Sequence, residues 1–259
     1  MSLLRSFCIA FSMYSKIPMP KLPWNKKDMR YAMCFFPLIS IPIALLALLW
    51  FYICQWLHIG PLLFAGVATA IPVLVTGGIH LDGYCDTVDA LSSRQPQEKK
   101  LEILKDPHTG AFAILFSCLY FLLYAGFASE LTNSLHGVFL LMCSFLISRC
   151  ISGFAVVTFR CARNSGLLHT FQDAAQKRTV AITMIGYLLI AITLVFIINW
   201  FVAFFVLFGA AVAFIYVRVM CYRQFGGFTG DIAGYLVQLC ELTTLIGIVA
   251  GLLIERAVF

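Results

Sequence analysis

The chain is poor in charge. Asp, Glu, Lys and Arg make up 12% of its 259 residues, about half of the ~25% usual in soluble domains. No charged side chain occurs between Arg30 and Asp82, and none between Arg178 and Arg218. A water-soluble domain is excluded. Paired cysteines are also lacking. The ten cysteines form no CxxC pair and no Cys/His ligand spacing, and most lie inside apolar runs (Cys54, Cys118, Cys143, Cys240). There a thiol behaves as a small hydrophobe, so neither a disulfide framework nor a zinc site is expected. Low-complexity tracts are missing, and the glycine-led segments before Asp82 and Asp231 are only a faint internal echo. No small-residue cleavage pattern follows Met1-Ser2-Leu3-Leu4-Arg5, so a removable signal peptide is not expected.

What is abundant is apolar surface: 61% of residues are hydrophobic and the mean hydropathy is +0.93. The apolar runs are continuous, without the alternation of a barrel strand, and only helices or closed barrels satisfy their backbone in lipid. The expected fold is an all-α polytopic membrane protein of about seven transmembrane helices. It forms one domain, 1–259, with 1–30 as a cytoplasmic or interfacial N-terminal segment. Residues 1–15 read as an interfacial helix, and Ile17-Pro18-Met19-Pro20-Lys21-Leu22-Pro23 breaks it, since proline lacks the donor a helix needs. Spans are expected at about 33–57, 62–78, 111–128, 135–159, twice within 179–217 with a turn at Asn199, and from Asp231 to about 254.

The basic residues orient this parsing. They gather in the N-terminal segment (Arg5 to Arg30), the loop from Arg94 to Lys105, the 149–178 region and the Arg218–Arg223 loop, which are alternate connections. The turns after the first and third spans and at Asn199 carry none. Cytoplasmic loops are enriched in Lys and Arg, so the N-terminus is expected in the cytoplasm, with the loops that carry the chemistry on that same face. The net charge of +6 follows from this topology and does not call for nucleic acid.

The most informative stretch is Thr76-Gly77-Gly78-Ile79-His80-Leu81-Asp82-Gly83-Tyr84-Cys85-Asp86-Thr87-Val88-Asp89. On a helix, Asp86 lies ~40° and Asp89 ~20° from Asp82, so the three carboxylates share one face. Like charges so placed repel unless a cation lies between them, and a hard ion such as Mg²⁺ suits oxygen donors. A solvated helix N-terminus would also favour acidic residues, but such a face would mix signs and this one does not. The neighbouring His80 is a candidate base or hydrogen-bond donor, although a lone histidine is more often structural.

Further candidates lie in the same loops. Lys105 and Asp106, in Lys105-Asp106-Pro107-His108-Thr109-Gly110, read equally as a phosphate-binding loop and as an ordinary turn in which Thr109 caps the next helix. Arg149 stands ~15 Å inside an apolar span, where a charge costs ~2.5–3.5 kcal/mol and usually faces a cavity or a partner. Arg163 is a candidate anion contact. Asp231 opens the last span, and Glu241 lies ~15 Å further in and ~80° around the helix; as an intramembrane acid it is a functional candidate.

These motifs together resemble the cobalamin (5′-phosphate) synthase family, adenosylcobinamide-GDP ribazoletransferase. The acidic stretch is similar to the family signature. Lys16-Ile17-Pro18-Met19-Pro20, Leu101 to Asp106 with Gly110, Ser148-Arg149, Ala162-Arg163 with Gly166-Leu167, and Gly226-Gly227-Phe228-Thr229-Gly230-Asp231 through Glu241 match its other motifs. The chain departs from the pattern at Ala90, at Pro107-His108-Thr109 and at Gln238.

The resemblance implies that adenosylcobinamide-GDP and α-ribazole, or its 5′-phosphate, are joined to give adenosylcobalamin, or its 5′-phosphate, with release of GMP. Asp82, Asp86 and Asp89 would hold Mg²⁺ against the diphosphate. Lys105, Asp106, Arg149, Arg163, Asp231 and Glu241 would contact the substrates. Lys105, Arg149 and Arg163 would stabilise phosphate charge, and Asp231 or Glu241 would complete the metal shell or orient the ribazole. His80 or an aspartate would take the hydroxyl proton. The implied partners are these small molecules, the lipid bilayer of a prokaryotic plasma (inner) membrane, and a second copy or other cobalamin-pathway enzymes. The nearest alternative, a CDP-alcohol phosphotransferase, needs an Ala-Arg after the Asp-Gly pair, where this chain has Tyr84-Cys85-Asp86. A prenyltransferase needs a second Asp-rich motif. An ion-coupled transporter could use Arg149 and Glu241, yet most of the distinctive charge lies on one face.

Overall fold

Two adjacent glycines divide the molecule's acidic motif from the apolar run that precedes it. The computed structural model describes residues 2–23, 25–163 and 167–259. Among them the helices are α1 (Ser2–Tyr14), α2 (Lys26–Met29), α3 (Ala32–Phe35), α4 (Ser40–Trp56), α5 (Pro61–Thr76), α6 (Ile79–Ser92) and α7 (Gln97–Ile103). They continue with α8 (Ala111–Ser129), α9 (Leu135–Thr158), α10 (Leu167–Ala174), α11 (Lys177–Ile198), α12 (Trp200–Phe225) and α13 (Gly230–Val258). A single isolated bridge, Cys161 with Phe228, is the only β pairing among the described residues.

Six helical stretches are long and apolar enough to cross a bilayer: Lys27–Trp56, Ala111–Ser129, Leu135–Thr158, Lys177–Ile198, Trp200–Phe225 and Gly230–Val258. The pair α5 and α6 supplies a seventh if taken as one broken span. The first of these stretches is not one regular helix. Pro37 opens a 3-10 turn, Phe36–Ile39, between α3 and α4, because proline tolerates the first turn of a helix but not its middle. The break after α5 is sharper. Gly77 and Gly78 both take left-handed backbone, φ +67° and +79°, which costs only glycine little, and α6 leaves at 97° to α5.

The turn expected at Asn199 is present. Asn199 caps α12 by accepting from the Val202 amide at 3.0 Å. Its amide group also donates to the Glu255 carboxylate at 2.8 Å, tying the hairpin tip to the end of α13. The N-terminal helix is more firmly attached than an interfacial helix need be. Ser6, Ile9 and Ala10 are buried, Ser6 Oγ donates to the Asp28 carbonyl at 2.6 Å, and Leu3, Leu4, Arg5 and Ser12 are exposed.

The centre of the bundle is α9, buried along most of its length and packed against α11, α13 and α4. The outer faces of α4, α8, α11 and α12 expose Leu49, Leu122, Leu189 and Phe208, an apolar perimeter suited to lipid. The end of α5, the starts of α8 and α13, and the loops around Arg163 and Gly226 all gather at one end of the bundle. There α6 crosses the first turns of α13.

Candidate active site at the crossing of α6 and α13

Two glycines, one on each helix, make the crossing. A Cβ on Gly83 would lie 2.6 Å from the Asp231 carbonyl oxygen, and one on Gly234 would lie 2.8 Å from that of His80. Any larger residue would push the helices apart. Because they touch backbone to backbone, Asp82 of α6 and Asp231 of α13 both line one cavity of about 310 Å³. Thr229 caps α13, accepting from the Ile232 amide at 3.2 Å, and its hydroxyl donates to Asp231 Oδ2 at 3.3 Å.

Arg163 reaches the same cavity. Its segment is pinned to the loop before α13 by Ala162 N donating to the Phe228 carbonyl (3.0 Å) and Phe228 N to that of Arg160 (2.9 Å). One guanidinium nitrogen donates to the Leu101 carbonyl, and Asp231 supplies a neighbouring negative charge. Gly166, part of the same sequence motif, lies outside the described residues.

Burial, then the charges of Asp82, Asp231 and Asp89, push the Asp86 carboxyl up to about 7. The charges that act on Asp86 include that of Asp231, which lies outside the linear motif. Asp89 is used differently. Its two oxygens accept from the amides of Gly110 (2.6 Å) and Ala113 (2.8 Å) at the start of α8. It is the cap of that helix, reaching over from α6, and Thr109 does not fill that role. In this structure both Asp89 oxygens are thus engaged on amides.

His80 is buried and aimed at the cavity, beside Tyr14 (ring centroids 6.0 Å apart, stacked) and Phe36 (5.6 Å, edge-on). Its Nε2 is buried with no hydrogen-bond partner. Burial, assisted by the positive charge of Arg149, pushes its proton affinity down to about 3.

Four other expected contacts lie elsewhere. Arg149 and Glu241 are each about 1% exposed and pair with one another, Nη1 to Oε1 at 2.6 Å. Arg149 also donates to the Phe145 carbonyl at 2.9 Å, and Ser148 Oγ lies 3.3 Å from Glu241 Oε1. Neither side chain lines the cavity. Each is the partner that intramembrane burial demands of the other. Lys105 is exposed in the loop before α8. Asp106 is held within that loop, accepting from the His108 amide at 2.9 Å with His108 Nδ1 at 2.7 Å, and those bonds lower its carboxyl. Leu104 lines the cavity, but Lys105 and Asp106 do not.

The sequence reading missed the inner wall. Met13, Tyr14, Met33, Phe36 and Ser152 line the cavity, yet in sequence they are ordinary members of apolar segments with no local signal.

Oxygen donors of one charge sign, without a competing lysine among the cavity residues, suit a hard divalent cation. The charges of Asp82, Asp231 and Asp89 all act on Asp86. Among the described residues, however, no three His, Cys, Asp or Glu side chains are already close enough to form a complete ligand set.

Residues 6–249 match the sequence model of CobS, cobalamin-5-phosphate synthase. The chain is 48% identical over 242 residues to an adenosylcobinamide-GDP ribazoletransferase of Lachnoclostridium phytofermentans, covering 93% of this chain and 92% of the relative. It is 32% identical over 246 residues to one of Clostridium perfringens SM101 (93% and 96% covered). It is 31% identical over 249 residues to one of Desulfitobacterium hafniense Y51 (94% and 96%). No solved structure matches it significantly. With the match running from α1 through most of α13, the chain belongs to the cobalamin-5-phosphate synthase family.

Proposed function

We propose that this protein is a membrane-embedded adenosylcobinamide-GDP ribazoletransferase. It joins the corrinoid phosphate of adenosylcobinamide-GDP to α-ribazole, or its 5′-phosphate, and releases GMP. The observation that carries this reading is the cavity whose rim holds Asp82, Asp231 and Arg163 and whose interior is apolar and aromatic. That is the division of labour such a reaction needs, with charge for a diphosphate and a dry pocket for an acceptor.

In this reading Asp82 and Asp86 from α6 and Asp231 from α13 would hold Mg²⁺, which would supply positive charge to offset that of the diphosphate. Arg163, beside Asp231, holds a phosphate oxygen. Asp89 fixes the start of α8 against α6, so the loop carrying Lys105 stays at the rim. Gly83 and Gly234 hold the two acidic helices in contact. Attack by the ribazole hydroxyl on the corrinoid-side phosphorus, with rupture of the bond to GMP, then depends mainly on positioning.

The acidic rim lies at the end of the bundle to which the Lys- and Arg-rich loops belong, which supports a cytoplasmic active site in a prokaryotic plasma membrane. The test is GMP release by the purified protein in detergent, given adenosylcobinamide-GDP and α-ribazole with Mg²⁺ or with EDTA. Mg²⁺-dependent GMP with a cobalamin product is expected. A folded sample that releases none overturns the reading.

A further inference from the structure

We propose that the inner part of the cavity is the subsite for the benzimidazole of the acceptor nucleoside, and that His80 Nε2 hydrogen-bonds its free ring nitrogen. The inference rests on the reading of α-ribazole as acceptor and goes beyond it by assigning the base to a wall and an atom.

Three observations carry it. The first is size. A cavity of about 310 Å³ is at the lower end for small-molecule sites. It admits a bicyclic heterocycle with part of its ribose, whereas a corrin macrocycle cannot enter and must stay at the rim with the diphosphate. The second is the chemistry of the wall. The cavity runs from exposed Asp82 inward to Met33 and Phe36, which are 1% and 2% exposed. Tyr14 and Phe36 stand with ring centroids 4.6 Å apart, and Met13 completes a soft apolar surface. Flat aromatic rings pack well on such groups, through offset or edge contacts and through sulfur against the ring.

The third observation is His80 itself. It is 4% exposed, lines the cavity and has a buried Nε2 with no hydrogen-bond partner among the described residues. A buried polar atom left unpaired is costly, so in native proteins nearly all are satisfied. An imidazole nitrogen is a donor in one tautomer and an acceptor in the other. The benzimidazole nitrogen that bears no sugar is an acceptor, so His80 would present its Nε2–H tautomer. His80 also stands two residues before Asp82 on α6. A base seated there leaves its ribose toward the rim, where the phosphate is expected.

The experiment measures binding of α-ribazole to the full-length protein in detergent with EDTA, by the fluorescence of the base, for wild type, His80→Ala and His80→Gln. Loss of one buried hydrogen bond should weaken binding about tenfold in His80→Ala, with partial recovery in His80→Gln. The dimethylindole nucleoside, in which the free nitrogen is replaced by CH, should bind wild type about tenfold more weakly than α-ribazole. It should bind His80→Ala no worse than it binds wild type. In turnover assays KM for α-ribazole should rise in His80→Ala while KM for adenosylcobinamide-GDP stays unchanged.

Equal binding of α-ribazole to wild type and His80→Ala overturns the inference, as does a rise in the donor's KM instead of the acceptor's. If His80→Ala is not monodisperse, wild type decides alone, and equal affinity for the indole and benzimidazole nucleosides refutes the contact. Wild type that turns over while His80→Ala keeps its ribazole KM removes the subsite only. Wild type that binds α-ribazole but never yields GMP removes the reaction and leaves the subsite standing.

Discussion

Replacing Arg149 alone, or Glu241 alone, should damage this protein more than replacing both. The two side chains meet at 2.6 Å with about 1% exposure each, in the middle of α9 and α13. Truncating one leaves the other charge buried without its counter-ion, which costs about 3–5 kcal/mol. At roughly 2–4 °C per kcal/mol for a chain of this size, the melting temperature should fall by roughly 6–20 °C. The double variant Arg149→Met/Glu241→Leu removes both charges and also the Arg149 Nε, which is buried without a partner. Replacing a buried pair by apolar groups of similar volume is often neutral or favourable, so it should melt near wild type. The assay is thermal unfolding in detergent, followed by GMP release from each variant. If the double variant is as unstable as the singles, the pair does more for the fold than charge compensation. If it is stable but inactive, Arg149 acts on substrate after all, and the structural assignment of the pair is refuted.

The other predictions concern the acidic centre. Asp86 titrates near 7 in the metal-free native protein and near 3.9 when unfolded, so between those values the native state holds a proton that the unfolded state has lost. Stability must then fall as pH rises through this window. In EDTA the melting temperature should drop from about pH 5 to about pH 8, with Mg²⁺ restoring it at the higher pH and having little effect at the lower; a melting temperature that rises over this range contradicts the cluster. Asp82→Asn should raise the Mg²⁺ concentration needed for half-maximal GMP release, whereas Asp89→Asn, which keeps one of the two acceptors at the start of α8, should leave it unchanged and lower stability by about 1–3 kcal/mol. The reverse pattern would return Asp89 to the metal. Gly83→Ala should abolish most activity while the protein remains extractable, because its Cβ would lie 2.6 Å from the Asp231 carbonyl; near-normal turnover would show that the α6–α13 contact is looser than it looks.

Much of the architecture could be read from the chain because lipid imposes a simple rule. A stretch without charge must bury its backbone in a helix, and the segments flanking Asn199 and those beginning near Ala111, Leu135 and Asp231 all do so. The sharp break at Gly77 and Gly78 came only with the structure, where both take left-handed backbone and end α5. The reading stopped short where partners come from far along the chain. Spacing alone puts Asp89 on the same face as Asp82, but it cannot show that the amides of Gly110 and Ala113 are waiting 21 and 24 residues away. Arg149 and Glu241 were each singled out for the same reason, an intramembrane charge, and what remained hidden was that they answer one another.

The sequence by itself determined the solvent, the helices, the family and the acidic character of α6, because these depend on composition and on contacts a few residues apart. Only the tertiary structure decided which acids act together, since Asp231 joins Asp82 and Asp86 through an approach of two helices that Gly83 and Gly234 permit. It alone brought Tyr14 and Met33 to His80, because a cavity wall is a property of packing between distant segments and leaves no period in any one of them.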